Sequence, residues 1–370
     1  MFLTVLVDGA TSRVAIARRT GLGSAAVTKA VGPLLAAGLL RERGPVGTNG
    51  VGRPVSILEV EGDAAWFAGI KITGDAAIAV LVDLSGTLLH GVRRPLRSRQ
   101  VEDVVEDVAG VVAELISERR GAKDRLRGVG VSISGDVERD AGLVVFSPFL
   151  DWRGVPVEQL LRARTGLPTV VENDVRALTF AEQWFGAGVG ASSFAVVTIG
   201  AGIGCGLFLA GEVLTGAHGV TGELGHLPVA DPALACYCGG HGCAEAAASV
   251  PAILAHTSAA VGRQVSALDD AIALAESGHA EVGAVFDNAG AVIGRALASV
   301  ANLVGPERIV LTGEALAAVH LLETPMRQAL AQQAYGGAIH SELLVRPLPF
   351  EEWARGGAAV AAQRVFAPTK

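Results

Sequence analysis

A short helical module with a β wing, followed by an α/β body of two similarly built lobes, is the fold class predicted by this 370-residue sequence. Two observations predict it. In the first sixty residues a helical pattern, a glycine turn and a second helical pattern precede two strand-like runs. Further on, one strand–turn–strand layout occurs twice, at 67–91 and again at 194–216. A third observation, three of the four cysteines within eight residues, adds a metal-binding loop to the second half.

The bulk composition fits a protein with several cores. Half of the residues are hydrophobic and only 5% are aromatic, so the cores must be built from Val, Leu, Ile and Ala. The 48 glycines cluster in loops and show no collagen-like period. The apolar run Phe2–Val7 is too short for a signal peptide and stops at Asp8. Residues 183–211 carry no formal charge, but their eight glycines favour buried strands with tight loops over a spanning helix. A soluble, cytoplasmic protein without membrane contact is expected. The net charge of −7 is uneven: Arg13, Arg18, Arg19, Lys29, Arg41, Arg43 and Arg53 face only Asp8, Glu42 and Glu59 in the first sixty residues. A basic front on an acidic body points to a polyanion that meets the front alone.

In that front, Val14, Ile16 and Ala17 trace a short helix behind Ser12 as N-cap. Gly21-Leu22-Gly23 supplies a turn. Ser24 caps a second helix with Val27, Val31, Leu34 and Leu35 on one face, which Pro33 is expected to bend or shorten. Helix, glycine turn and capped helix make a helix-turn-helix. Residues 38–43 and 53–60 read as two strands of a wing, which sets residues 1–62 apart as a winged helix-turn-helix domain. On the second helix, Ser24, Ala25, Ala26, Thr28 and Lys29 would face a major groove. The small side chains permit close approach, Thr28 reaches a base edge or methyl group, and Lys29 a phosphate or guanine. Arg53, at the wing tip Gly50-Val-Gly-Arg-Pro54, suits a narrow minor groove.

The remainder, 63–370, carries the repeated unit. Phe67–Ile72 ends in Gly74, and Ala77–Asp83 leads to Gly86 and Gly91; Phe194–Ile199 ends in Gly200, and Leu207–Leu209 leads to Gly211 and Gly216. The same meander opening two halves implies a duplicated α/β fold with a cleft between lobes, the two-lobed architecture of sugar kinases, actin and heat-shock ATPases. Lobe 1 spans about 63–180 plus a C-terminal helix, and lobe 2 about 181–350. Val101, Val104, Val105, Val108, Val111, Val112, Leu115 and Ile116 trace the apolar face of a helix.

Cys236-Tyr-Cys238 and Cys243, with His226 upstream, form a Cys3His set. Three thiols cannot pair off, and nothing else suggests an oxidising compartment, so the pattern predicts structural zinc rather than a disulfide. Four protein ligands leave the ion no open position for hydrolysis.

Val220-Thr-Gly-Glu-Leu-Gly-His-Leu-Pro228 and the following Cys-x-Cys-Gly-Gly-x-Gly-Cys-x-Glu245 resemble the signature of ROK proteins (repressors, open reading frames and sugar kinases). Glu172-Asn-Asp174 resembles that family's sugar and catalytic motif, and the winged helix is similar to its repressor branch. The resemblance implies that Asn173, Asp174, Glu223, His226 and Glu245 bind sugar hydroxyls. Asp174 falls at the kinases' general-base position, and His226 also ligates zinc through its other nitrogen. Carboxylates, an amide and a metal-fixed imidazole are directional partners for a polyol.

Phosphoryl transfer needs loops that cradle phosphate. Where the family's kinases have Asp-x-Gly-Gly-Thr, this chain has Lys71-Ile-Thr73-Gly74-Asp75. Asp75 would repel a phosphate by several kcal/mol in a poorly solvated cleft. Gly200-Ala201-Gly202 lacks the family's Thr, and Thr312-Gly313-Glu314 sets a carboxylate at a nucleotide contact. Phe149 stands where many relatives have Asn, so a pocket wall differs. The expected protein is a sugar-responsive regulator that binds operator DNA, a repressor acting as a homodimer or homotetramer and without enzymatic activity. The alternative is an active ATP-dependent sugar kinase with a DNA-binding arm.

Overall fold

Val5, Ile16, Val27, Val31, Leu40 and Leu58 gather into one small apolar core, and the N-terminal module forms around it. The structure of the protein, a computed structural model, describes residues 1–46, 55–217 and 219–366. Helix α1 (Phe2–Asp8) is followed by β1 (Thr11–Ser12), α2 (Arg13–Thr20), α3 (Ser24–Ala36), β2 (Leu40–Val46) and β3 (Val55–Val60). The strands are antiparallel in the order β1-β3-β2. Ser12 caps α2 as expected, its hydroxyl accepting from the Ala15 amide at 3.1 Å. Gly21, at φ 70°, ends that helix in the left-handed conformation.

One expectation is corrected in α3. Ser24 is the first helical residue, one position too late to cap; extended Gly23 is the N-cap, and no side-chain cap bond forms. Pro33 does not end the helix, which runs on to Ala36. Its ring removes one amide donor, but the Ala37 amide still donates to the Pro33 carbonyl at 2.9 Å. The wing tip with Arg53 lies outside the described residues.

The chain divides into two compact units, residues 1–190 with 349–370 and residues 191–348. In the first unit the N-terminal module is joined by β4 (Trp66–Ile72), β5 (Ala76–Asp83), β6 (Leu88–Pro95), α4 (Val101–Glu118), α5 (Ala122–Arg125), β7 (Leu126–Ile133), β8 (Asp136–Glu138), β9 (Leu143–Ser147), β10 (Trp152–Val155), α6 (Val157–Thr165), β11 (Thr169–Asn173) and α7 (Asp174–Phe185). The main sheet has the order β11-β7-β4-β5-β6, with β8, β9 and β10 forming a separate small sheet. Helix α4 buries Val104, Val108, Val111, Val112 and Leu115, the face its spacing predicts. The C-terminal helix (Phe350–Phe366) covers the central strands at backbone contact. A Cβ on Gly69 would lie 2.0 Å from the Ala354 carbonyl oxygen, and one on Gly130 would lie 1.8 Å from that of Gly357. Only glycine fits there.

The second unit contains β12 (Ser193–Ile199), β13 (Ile203–Leu209), β14 (Glu212–Val213), α8 (Ala244–Ala248), α9 (Val250–Val261), α10 (Leu268–Glu276), α11 (Ala280–Val304), β15 (Arg308–Thr312), α12 (Val319–Gln333) and β16 (Glu342–Val345). Its sheet order is β14-β13-β12-β15-β16. In each unit two antiparallel pairings (β4–β5, β5–β6; β12–β13, β13–β14) are followed by two parallel ones (β4–β7, β7–β11; β12–β15, β15–β16). The internal duplication read from the glycine spacing therefore extends to the whole sheet. No helix among the described residues is long and apolar enough to cross a membrane.

Candidate functional site

In the first unit, β11 delivers Asn173 and Asp174 to the start of α7. Asn173 is the N-cap: its side-chain oxygen accepts from the Val175 and Arg176 amides at 3.0 and 3.1 Å. Its side-chain nitrogen donates to the Gly135 carbonyl at 2.9 Å, which fixes the amide's orientation. Asp174 is 6% exposed and paired with Lys71 on β4, itself 3% exposed. The Lys71 ammonium also donates to Ser134 Oγ at 3.0 Å and lies 5.4 Å from the centroid of the Trp353 ring. Ser134 Oγ donates in turn to Asp174 Oδ2, while Oδ1 accepts from the Val175 amide at 2.9 Å. Burial alone would raise the Asp174 carboxyl. The Lys71 charge and these hydrogen bonds outweigh it and hold the group below the usual aspartate range.

A carboxylate so held accepts hydrogen bonds well and takes up protons poorly. That suits a fixed acceptor and opposes a general base. Sequence reasoning saw Lys71 as a lost acid in a phosphate loop and missed its partner. A lone lysine between Ile70 and Ile72, on a strand buried at every position, was the available signal.

The turn after β4 is closed by its own residues. The Thr73 hydroxyl accepts from the Ala76 amide at 3.0 Å and the Asp75 amide at 3.4 Å, and donates to Asp75 Oδ1 at 2.6 Å. The amides of Thr73, Asp75 and Ala76 are thus engaged within the turn and not offered to an anion. Arg99 Nε donates to the Gly74 carbonyl at 3.0 Å, and a Cβ on Gly74 would lie 3.4 Å from the Phe149 carbonyl oxygen.

In the second unit, a 3-10 turn at Leu224–His226 presents Glu223 and His226. Gly222 makes this turn possible: it has φ +80°, and a Cβ there would lie 1.9 Å from the Cys205 carbonyl oxygen. The loop then folds back on itself through bridges Pro228–Cys243 and Ala235–His241, bringing His226, Cys236, Cys238 and Cys243 together. Their ligand atoms all lie within 4.8 Å of one another. Cys236 Sγ is 3.7 Å from His226 Nδ1, and Cys238 Sγ is 3.7 Å from Cys243 Sγ. Metal–sulfur bonds of about 2.3 Å in a tetrahedron give edges near these values, whereas a disulfide needs about 2.05 Å. The four cysteines are free thiols. The donor set thus fits a tetrahedral divalent metal.

Glu245 is buried at the start of α8, and its Oε2 accepts from the Ile203 amide at 2.8 Å. The same oxygen would lie 2.9 Å from a Cβ on Gly202 or Gly225, so the carboxylate ties the glycine loop after β12 to the Glu223 turn. In that loop, Glu314 Oε2 would lie 1.8 Å from a Cβ on Gly200. A carboxylate therefore covers Gly200.

In the N-terminal module, Ser24, Ala25, Ala26, Thr28 and Lys29 are all exposed along α3 while Val27 is buried. The Thr28 hydroxyl donates to the Ser24 carbonyl at 3.0 Å, leaving its methyl group and lone pairs outward. The described cations of the wing are committed, Arg41 and Arg43 pairing with Glu59, and Arg13 of α2 pairs with Glu42 on β2. Exposed Arg18 and Lys29 keep positive charge on the helical side.

The duplicated sheet plan is that of the two-lobed sugar-kinase and actin class. Residues 67–364 match the ROK family, and the chain belongs to it. It is 28% identical over 340 residues to the DNA-binding transcriptional repressor Mlc of Escherichia coli K12, covering 89% of this chain and 84% of that protein. It is also 30% identical over 312 residues to a glucokinase of Thermotoga maritima, covering 80% of this chain and 97% of that one. A solved ROK family transcriptional regulator, described as a homologue of the E. coli protein, superposes with a TM-score of 0.80 at 26% identity, covering 98% of this chain and 94% of its own. Repressor and kinase match at similar identity, so the site chemistry has to separate them.

Proposed function

We propose that this protein is a sugar-responsive, DNA-binding transcription regulator, a repressor, that no longer phosphorylates the sugar it binds. The observation that carries this reading is the buried Lys71–Asp174 pair. It turns the base position into an immobile acceptor, while Thr73 and Glu314 occupy the glycine turns that would serve phosphate. Residues 1–62 act as the DNA reader and 63–370 as the sugar receptor. Asn173 and Asp174 in the first unit, and Glu223, His226 and Glu245 in the second, contact hydroxyl groups. Zinc, held by His226 Nδ1 and the three thiolates, fixes the imidazole ring so that Nε2 is presented in one tautomer. The ion's role is structural. Ser24, Ala25, Thr28, Lys29 and Arg53 meet DNA, with two or four copies of the chain presenting paired readers to a palindromic operator.

A route from sugar to reader lies within the first unit. Helix α7, which starts at the Asn173–Asp174 pair, packs against α1, and α1 gives Val5 to the reader's core. A sugar that binds two settings of α7 unequally shifts the reader between them.

The test combines two measurements on the full chain. Hexoses, pentoses and N-acetylhexosamines are offered with ATP, and DNA upstream of the gene is titrated with and without each sugar. Sugar-dependent DNA affinity with no phosphorylation is expected; turnover above trace would reject the reading. Lys29→Ala should weaken DNA binding uniformly and reduce the log–log salt slope by about one.

A further inference from the structure

We infer that Tyr237 is a sugar-contacting, specificity-determining residue: its ring forms an aromatic platform beside Glu223, His226 and Glu245. The inference rests on the sugar-receptor reading and adds a contact that the polar motif does not contain. Tyr237 lies between two of the candidate metal ligands, yet it is 70% exposed and contributes nothing to a core. Its ring meets the His226 ring edge-on, with centroids 5.5 Å apart. His226 closes the turn that begins at Glu223, and Glu245 Oε2 would lie 2.9 Å from a Cβ on Gly225 in that same turn. One exposed side chain thus packs on the turn that gathers the second unit's three candidate hydroxyl-binding groups.

The chemistry is complementary. Glu223, His226 and Glu245 supply polar partners for hydroxyls, but a pyranose or furanose also presents C–H faces that carboxylates cannot cover. A phenol ring has an apolar face for that surface and a polar tip that can stay in water. The metal loop does not need the ring to hold its shape. Backbone bonds from the Cys236 amide to the Gly240 carbonyl (2.8 Å) and from the Gly242 amide to the Leu234 carbonyl (2.8 Å) close it, together with the thiolates. With the ring in place, the ligand class is a neutral monosaccharide with at least one extended C–H face.

The experiment uses the full-length, metal-loaded protein. D-glucose, D-xylose and N-acetyl-D-glucosamine are titrated by calorimetry into wild type, Tyr237→Ala, Tyr237→Phe and Glu223→Gln, and bound metal is quantified in each. Tyr237→Ala should weaken the bound sugar about tenfold at unchanged metal content, and Tyr237→Phe should stay within about threefold. The relative affinities of the three sugars should also change in Tyr237→Ala. Wild-type affinity and ranking in Tyr237→Ala, beside a weakened Glu223→Gln, overturn this inference alone. Loss of metal in Tyr237→Ala overturns it too, because the ring is then a brace for the loop. Absence of binding by wild type, or an unaffected Glu223→Gln, overturns the receptor reading itself and this inference with it.

Discussion

The two units immobilise their candidate recognition groups by opposite means. The first uses charge already present in the chain: Lys71 and Ser134 clamp Asp174 in a buried site, and Asn173 is locked by the helix it caps. The second gathers four soft donors, and their approach creates a demand for an ion from outside. The sheet plans are the same, but the sites are set at opposite edges of the plan: Asp174 follows β11, the last parallel strand, and the metal-donor loop follows β14, the last antiparallel one. One unit is complete as folded. The other offers a donor set that fits an ion.

That contrast can be broken first at the ion pair. Lys71→Met should destabilise the first unit by about 3–5 kcal/mol, since it strands a buried carboxylate, while Lys71→Met/Asp174→Asn should recover most of the loss. Denaturant titration of the two variants checks this; equal losses would mean that packing of the Lys71 stem, and not charge, matters. The next effect is on the loaded side. Chelation, or Cys243→Ser, should remove the stoichiometric metal and lower stability by about 2.7 kcal/mol where free metal stood a hundredfold above its Kd. Elemental analysis with thermal melts reads both, and the Lys71 variants should retain their metal.

Acid sharpens the same comparison. The folded Asp174 carboxyl lies below its unfolded value of about 3.9, so its stabilising effect is complete above that pH and disappears as pH falls through the folded value. Between pH 5 and 8 Asp174 contributes no slope. A stability profile from pH 2 to 5 should be flatter for Lys71→Met/Asp174→Asn than for wild type. The smallest effect is expected at Thr73→Val, which leaves the Asp75 and Ala76 amides without the hydroxyl that accepts from them. It should cost about 1 kcal/mol and leave metal content unchanged.

Local signals made much of this legible in sequence. Gly86 and Gly91, matched by Gly211 and Gly216, marked the repeated meander because turns constrain glycine within a few residues. The four metal donors stood out because a short loop must gather them. Lys71 and Asp174 are separated by 103 positions, and only the parallel pairing of β4 with β7 and of β7 with β11 joins them. No spacing rule encodes that pairing. The wing's ion pairs were hidden for a similar reason: Arg41 and Arg43 count toward a basic front, and only the pairing of β2 with β3 sets both against Glu59. Ser24 missed the cap by one residue because extended Gly23 already served as the boundary.

Helix α1 belongs to two neighbourhoods at once. Val5 is buried with the reader's apolar residues, while the Phe2 ring lies 4.9 Å from that of Phe366 on the C-terminal helix, which in turn sits 6.1 Å from Phe67. For anyone building chimeras, this makes the head non-portable. Grafting residues 1–62 onto a relative's trunk would carry half of an aromatic seam and abandon the other half, so a working hybrid must import Phe67 and Phe366 along with the head.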